Sequence, residues 1–166
     1  MGQPFSGSIV FSNVSYVGEY AFAYAYNSFM TGFGGNVYPY TLSFPSLTSL
    51  TANGIFAFNR GLRNIYCPSV TILGPTTFFN CFSLSTVSFP KCTEIKNSTF
   101  MSCSQLETVY FPSCSRIGTN NFYGCSSLTT ASFPECTYID YAAFCSCSKL
   151  INISFPKCVT INWYAF

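Results

Sequence analysis

The chain has 166 residues, of which 49% are apolar and 7% are charged, and its formal net charge is +2. This length and apolar fraction suffice for one domain with a hydrophobic core and exclude a disordered chain. The seven basic residues are scattered, which argues against nucleic acid binding, because a phosphate-binding face needs a basic patch. No apolar run approaches the length of about 18 residues that predicts a membrane span.

Residues that usually carry chemistry are scarce. The chain has no histidine, so a serine or cysteine nucleophile would lack its usual base. The five acidic residues form no evident carboxylate pair, and no glycine-rich phosphate loop is present. We therefore predict that the protein is not an enzyme and uses no cofactor.

A period of 22 residues runs through most of the chain. Proline marks it at Pro45, Pro68, Pro90, Pro112, Pro134 and Pro156. Each proline is followed at fixed offsets by a small apolar residue or cysteine, a leucine or isoleucine, and in most units a phenylalanine and a second cysteine. A fixed period in this range predicts a repeat solenoid, in which each repeat buries its apolar face by stacking on its neighbours. We expect residues 1–166 to form one such domain of about six to seven rungs.

The first rung lacks the proline but keeps the pattern. Residues 11–22 match residues 111–122 position by position, with Ser12 in the proline position. An insertion then separates this rung from the next, and we place it, as an N-terminal cap or a binding loop, at residues 23–42. Insertions in solenoids often carry binding residues. The candidate contacts in and beside this segment are aromatic: Tyr24, Tyr26, Phe29, Phe33, Tyr38 and Tyr40.

Each regular unit is predicted to hold two short parallel strands and a tight arch. Before proline, apolar and polar residues alternate, so Ala131 and Phe133 are expected to point inward and Thr130 outward. Proline ends this strand because it has no N–H to donate. A second extended stretch follows, with Cys136 and Ile139 inward. The arch then places a phenylalanine three residues before a cysteine, a spacing that suits a single turn of 3₁₀ or α-helix.

The outward strand positions form polar columns that run along the solenoid. Ladders of hydroxyl and amide groups would stabilise the stacked strands, which is one interpretation of these columns. The other is a flat contact surface with two tyrosines as anchors, because aromatic residues are favoured at interfaces. The candidate contacts on this surface are Tyr66, Tyr110, Thr86, Thr108 and Thr130.

The ten cysteines allow three interpretations. The column of Cys92 to Cys158 holds Val14, Leu47 and Val70 in earlier rungs, and the other cysteine column holds Asn59, which favours packing as small apolar side chains. Disulfides between rungs are the second interpretation, because column neighbours would lie about 5 Å apart. A metal site is the third, but the chain has no histidine and the column spacing of 22 residues does not resemble paired zinc ligands.

The two ends of the chain are in phase with the repeat. Phe166 lies ten residues after Pro156, and Met1 lies eleven residues before Ser12, so a second copy placed head to tail would continue the period. No polar cap follows the last repeat, whereas solenoids normally need caps to stay soluble. We therefore carry an alternative hypothesis of end-to-end stacking into an extracellular filament. Its candidate contacts are Tyr164, Phe166, Phe5 and Ile9.

The run from Phe122 to Pro134 resembles the BspA-like, or Treponema-type, leucine-rich repeat. An alanine–phenylalanine pair, a cysteine three residues later, then a leucine and a strand closed by proline recur here, with the full pair at residues 21–22, 143–144 and 165–166. The resemblance implies a leucine-rich-repeat solenoid of short parallel β-strands. It further implies a non-enzymatic adhesion module that binds host matrix or cell-surface proteins, located at the cell surface or outside the cell. No secretory leader is visible, so either the protein stays inside or this sequence lacks its leader.

Overall fold

The computed structural model describes residues 7–24 and 39–166. In these residues the chain forms a parallel β-solenoid whose strands are all two to five residues long. The strands are β1 (Gly7–Val10), β2 (Tyr40–Ser43), β3 (Leu62–Tyr66), β4 (Ile72–Leu73), β5 (Thr86–Ser88), β6 (Glu94–Ile95), β7 (Thr108–Tyr110), β8 (Arg116–Ile117), β9 (Thr130–Ser132), β10 (Tyr138–Ile139), β11 (Asn152–Ser154) and β12 (Thr160–Ile161).

Two faces of the solenoid are lined by strands. One face carries β1, β2, β3 and β5, followed by β7, β9 and β11, and the other carries β4, β6, β8, β10 and β12. All pairs are parallel, and in most of them the register shift equals one repeat, as in the pairing of Thr130 with Thr108 and with Asn152. The predicted repeat solenoid with two short strands per unit is therefore confirmed.

The core is built around two columns of phenylalanine rings. Within a column the rings stack face to face, with centroids 5.3 Å apart for Phe100 and Phe122 and 5.3 Å apart for Phe111 and Phe133. Between the columns the rings meet at steep angles, as Phe122 and Phe133 do at 65°. Both arrangements suit the quadrupole of an aromatic ring, so the columns add attraction to the apolar burial.

The first rung occupies the place that the sequence predicts for it. Phe11 stacks on Phe44 at 4.8 Å, and Phe22 stacks on Phe56 at 5.2 Å, so both phenylalanine columns begin in this rung. Most of the proposed insertion at residues 23–42 lies outside the described residues. What is described of it ends at residue 24 and resumes at residue 39, shortly before β2.

The arch of each rung contains hydrogen-bonded turns, and the described residues include no helix. The predicted single turn of 3₁₀ or α-helix is instead a non-helical turn, in which the cysteine N–H donates to the carbonyl of the phenylalanine three residues earlier, at 3.1 Å for Cys103 and Phe100. The turn is not helical because Ser102, its third residue, has a positive φ of 62°, and Ser98, two residues before the turn, has a φ of 55°.

Positive φ recurs in every arch and forms two columns of its own. Seven residues make up the first column: Tyr20, Gly54, Thr76, Ser98, Asn120, Ala142 and Tyr164. Only one of them is glycine, although left-handed backbone costs an ordinary L-residue about 1 kcal/mol or more. Thr76, at φ 53°, carries a β-branched side chain, which suits this conformation least.

Replacing Thr76 by asparagine is expected to raise the free energy of unfolding by about 0.5–1 kcal/mol, because asparagine tolerates left-handed backbone better. Asn120 already occupies the equivalent position in a later rung, at φ 54°. Urea denaturation followed by circular dichroism measures the change. Gly124→Ala is the opposite control and is expected to lower the free energy of unfolding. A Cβ at Gly124 would lie 3.6 Å from Ser102 Oγ, which is an ordinary contact, so the cost arises from the φ of 71° at this position. Destabilisation by both changes would contradict the argument.

Candidate binding face

The face that carries β3, β5, β7 and β9 presents the predicted contact residues to solvent. Tyr66 is 49% exposed and Tyr110 is 62% exposed. Thr86 and Thr108 are exposed and Thr130 is half-buried. They point outward because the inward positions of the same strands, such as Val109, are occupied by core residues. The structure therefore brings all five predicted residues onto one face.

The two tyrosines lie in one column, two rungs apart. Tyr66 pairs in register with Ser88, and Tyr110 with Ser132. Two strand separations place the tyrosines about 10 Å from each other, with Ser88 between them. Within residues 7–24 and 39–166, no hydrogen bond involves the side-chain hydroxyl of Thr86 or that of Thr108. The internal ladder that one interpretation of the columns expected is present between Asn64 Nδ2 and Thr41 Oγ1, at 3.2 Å, but does not continue through these two hydroxyls.

A polar groove that the sequence pattern does not reveal borders this face. Its lining includes Arg63, Ser85 and Glu107, which directly precede the outward residues of β3, β5 and β7. Arg63 and Glu107 are both exposed. Arg63 and Glu107 each lie 22 residues from Ser85 in the sequence, which places them in neighbouring rungs of the same column. Their charges have opposite signs, however, so they do not form the cluster of like charges that would mark a binding patch in the sequence. The groove adds a cation and an anion to an otherwise uncharged surface.

The predicted aromatic contacts near the insertion have different environments. Tyr24 is 63% exposed and stacks on Phe58 at 4.7 Å. Tyr40 is half-buried, and its hydroxyl donates to Asn59 Oδ1 at 2.7 Å. Burial raises the pKa of Tyr40 from its ordinary value. The other four, Tyr26, Phe29, Phe33 and Tyr38, lie outside the described residues.

Buried Asn59 replaces a cysteine in the arch of its rung. Its Nδ2 donates to the Phe22 carbonyl at 3.0 Å, and its Oδ1 accepts the N–H of Leu62 at 3.0 Å. Cysteines in the same column make the corresponding bond to the previous rung, as Cys103 Sγ does to the Phe78 carbonyl at 3.1 Å. The side chains of this column therefore donate hydrogen bonds to backbone carbonyls of the previous rung, which supports the interpretation of its cysteines as packing residues.

All ten cysteines lie within residues 39–166, where each thiol is free and seven are buried. Burial raises the pKa of Cys81 and of Cys92 to about 12. A thiol held protonated in this way is a poor nucleophile and a poor metal ligand. The described residues contain no group of three His, Cys, Asp or Glu side chains placed to hold a metal ion.

The predicted end contacts lie at opposite ends of the solenoid. Tyr164 is 70% exposed and Phe166 is 52% exposed in the last rung. Ile9 is half-buried in β1 at the other end, and Phe5 lies outside the described residues. No helix in residues 7–24 and 39–166 is long and apolar enough to cross a membrane.

The stacked 22-residue rungs, the phenylalanine columns and the parallel strand faces define a leucine-rich-repeat solenoid. The BspA type leucine rich repeat region matches residues 50–166 in six copies, and the chain belongs to this family. The resemblance inferred from the sequence is thereby confirmed. Such solenoids are repeat modules that commonly bind proteins and are typically non-enzymatic.

One solved structure with a similar fold is the crystal structure of a T. pallidum leucine rich repeat protein. The two chains superpose with a TM-score of 0.57 and 20% sequence identity, over 68% of each chain. At this identity the similarity concerns the fold alone. A search among curated protein sequences gives no match.

Proposed function

We propose that the chain is an adhesion module that binds a host matrix or cell-surface protein through its strand face, at the cell surface or outside the cell. The observation that carries this proposal is the pair of exposed tyrosines, Tyr66 and Tyr110, on a face that also exposes Thr86 and Thr108. Tyrosine supplies a large contact area with little loss of conformational entropy and is enriched among residues that dominate binding energy.

The surroundings of the tyrosines support a protein partner. The exposed hydroxyls of Thr86 and Thr108 can donate and accept hydrogen bonds across an interface. The polar groove adds Arg63 and Glu107 at the rim, where charges contribute to specificity more than to affinity. An apolar centre with a polar rim is the usual composition of a protein–protein interface.

Replacing both Tyr66 and Tyr110 by alanine is expected to weaken binding by about 30-fold or more, because loss of a dominant contact costs about 2 kcal/mol. Surface plasmon resonance on immobilised fibronectin, laminin and collagen measures the affinity. Tyr16→Ala is the matched control, because Tyr16 is 75% exposed and lies outside the strand face.

Circular dichroism of the double variant verifies that the fold is retained, as expected for two side chains that point into solvent. Equal affinity of the double variant and of Tyr16→Ala would show that the partner binds elsewhere. Absence of binding by the unmodified chain to all three matrix proteins at high micromolar concentration would reject the matrix as partner.

A further inference from the structure

The strand face is interrupted between β5 and β7. The two strands belong to different hydrogen-bonded sheets, and within residues 7–24 and 39–166 no backbone hydrogen bond joins them. The rings of Phe89 and Phe111, which directly follow these strands, lie 6.1 Å apart, whereas those of Phe111 and Phe133 lie 5.3 Å apart. We call this break between Thr86–Ser88 and Thr108–Tyr110 the seam.

The seam is confined to the strand face that carries the tyrosines. On the opposite face, β6 and β8 pair in register across the same rungs, and in the other phenylalanine column Phe100 and Phe122 remain 5.3 Å apart. At the seam, Val87 of β5 is half-buried, whereas the equivalent Ile65 and Val109 are each 2% exposed. The rungs therefore separate on the solvent side of this face.

The two exposed tyrosines lie on opposite sides of the seam. Tyr66 is in the strand before β5 and Tyr110 is in β7, so two strand separations place them about 10 Å apart. Between them, the side-chain hydroxyls of Thr86, Ser88 and Thr108 have no hydrogen-bond partner within the described ranges. This part of the face thus offers two aromatic rings and a set of hydroxyl donors that the fold itself does not use.

We infer that the segment bound here is a proline-rich stretch of the partner protein in the polyproline II conformation. It lies along the solenoid axis across the seam, with one proline on Tyr66 and one on Tyr110, and the inference rests on the function proposed above. Polyproline II has three residues per turn and rises about 3.1 Å per residue, so residues three apart share one face at about 9.3 Å. This distance matches the separation of the tyrosines, and aromatic surfaces are the usual docking sites for such segments.

Other backbone conformations fit the seam less well. In an extended strand, residues on one face are about 6.6 Å or 13 Å apart, and neither distance matches the tyrosines. An α-helix brings residues seven apart to about 10.5 Å, but its carbonyls are bonded internally. Polyproline II has no internal hydrogen bonds, so its carbonyls need donors when they leave water. The hydroxyls of Thr86, Ser88 and Thr108 are placed to supply them.

A negative charge beside the seam favours a basic residue next to the prolines. Glu107 directly precedes Thr108, is exposed and forms no ion pair within residues 7–24 and 39–166. Because Glu107 and Tyr110 are three residues apart along the same chain segment, a lysine or arginine beside the proline on Tyr110 can extend toward the carboxylate. Such a charge contributes to the choice of partner more than to affinity.

Fluorescence anisotropy with short labelled peptides tests the inference. The unmodified chain is expected to bind, saturably, a peptide with proline at every third position and one flanking lysine. A peptide of the same composition whose prolines are no longer three residues apart is expected to bind about 10-fold or more weakly, because it can engage one tyrosine at a time. An alanine-rich helical peptide of the same charge is expected to bind as weakly as the respaced peptide.

The double variant Tyr66→Ser, Ser88→Tyr is the matched control in the protein. It keeps the residue types of the column but brings the two rings to about 5 Å from each other, so binding of the proline-spaced peptide is expected to weaken about 10-fold or more. Glu107→Gln is expected to weaken binding of the lysine peptide but not of a peptide with alanine in place of lysine. Circular dichroism verifies that both variants keep the fold.

The outcomes separate this inference from the proposed function. Failure of the proline-spaced peptide to bind, equal binding of the respaced peptide, or full affinity of the double variant would each overturn the inference. If matrix proteins bind through Tyr66 and Tyr110 while the peptide does not, the proposed function stands and the inference falls. Spacing-dependent binding of the peptide without binding to fibronectin, laminin or collagen would support the inference and reject these proteins as the source of the segment.

Discussion

Replacing Phe100 by alanine is expected to lower the free energy of unfolding by about 3–5 kcal/mol. Phe100 is fully buried and stacks on Phe78 at 5.2 Å and on Phe122 at 5.3 Å. It also packs at an angle against Phe111 in the other column, at 6.0 Å. The alanine would remove the ring shared by four aromatic pairs, the fourth being with Phe89 at 6.4 Å, and leave a cavity that the flanking rungs, held by their own strands, cannot close.

The position of the ring in the solenoid supplies the control. Phe166 sits in the same column but has a stacked neighbour on one side alone, Phe144 at 5.5 Å, and is 52% exposed. Phe166→Ala should therefore cost far less than Phe100→Ala. Urea denaturation of both variants measures the difference, at a concentration where the unmodified chain is monomeric. Equal costs would show that the columns do not act as a continuous stack.

Raising the pH above about 9 is expected to unfold the chain cooperatively. Burial raises the pKa of Cys67, Cys81 and Cys92 from an ordinary value of 9.0 to about 12, and raises that of Cys136 to about 11. Below pH 9 these thiols are protonated in both the folded and the unfolded chain and stability does not depend on them. Above it the unfolded chain loses protons that the folded chain retains, so stability falls as pH rises.

The size of this effect follows from the number of thiols. Each fully protected thiol lowers the free energy of unfolding by about 1.4 kcal/mol per pH unit in this window. Seven cysteines are buried, so the slope reaches on the order of 10 kcal/mol per pH unit, comparable with the whole stability of a domain. Unfolding is expected between about pH 9.5 and 10.5, measured by circular dichroism under reducing conditions.

Two sets of substitutions, which remove or add buried cysteines, test whether the buried thiols cause the unfolding at high pH. The triple variant Cys92→Val, Cys114→Val and Cys136→Val should keep its stability at neutral pH, since valine or leucine fills this column in earlier rungs. Its unfolding should shift to higher pH because three titrating groups are gone. Val70→Cys should shift it to lower pH, since Val70 is fully buried in the same column. A chain that stays folded to pH 11, or a triple variant with an unchanged midpoint, would contradict the assignment.

The sequence predicted the columns because their residue types repeat. Proline, phenylalanine and cysteine at fixed offsets determine which residues stack, so Phe122 on Phe144 and Thr130 beside Thr108 follow from counting. The first rung was also predictable, since residues 11–22 keep the pattern with serine in place of proline. The candidate face followed from the alternation of inward and outward residues in the strands.

Other features leave no such trace in the sequence. The left-handed arch positions hold residues as different as Thr76, Ala142 and Tyr164, so no residue type marks them. The bond between Tyr40 and Asn59 joins residues of neighbouring rungs that no periodicity links. The charges of the groove, Arg63 and Glu107, are isolated in sequence and come together because their rungs stack.

The stacking of near-identical rungs bears on how the length of such a protein can change in evolution. Gain or loss of a whole 22-residue unit keeps every column in phase, because any rung presents the same inward residues to its neighbours. A single-residue insertion shifts inward residues outward unless it falls in an arch. The rung that runs from Pro45 to Pro68 has 23 residues, and its extra residue lies between Leu50, which pairs with Leu73, and Gly54, whose N–H donates to the Pro75 carbonyl. Duplication by whole units is therefore structurally neutral, and the arches are where shorter changes can be absorbed.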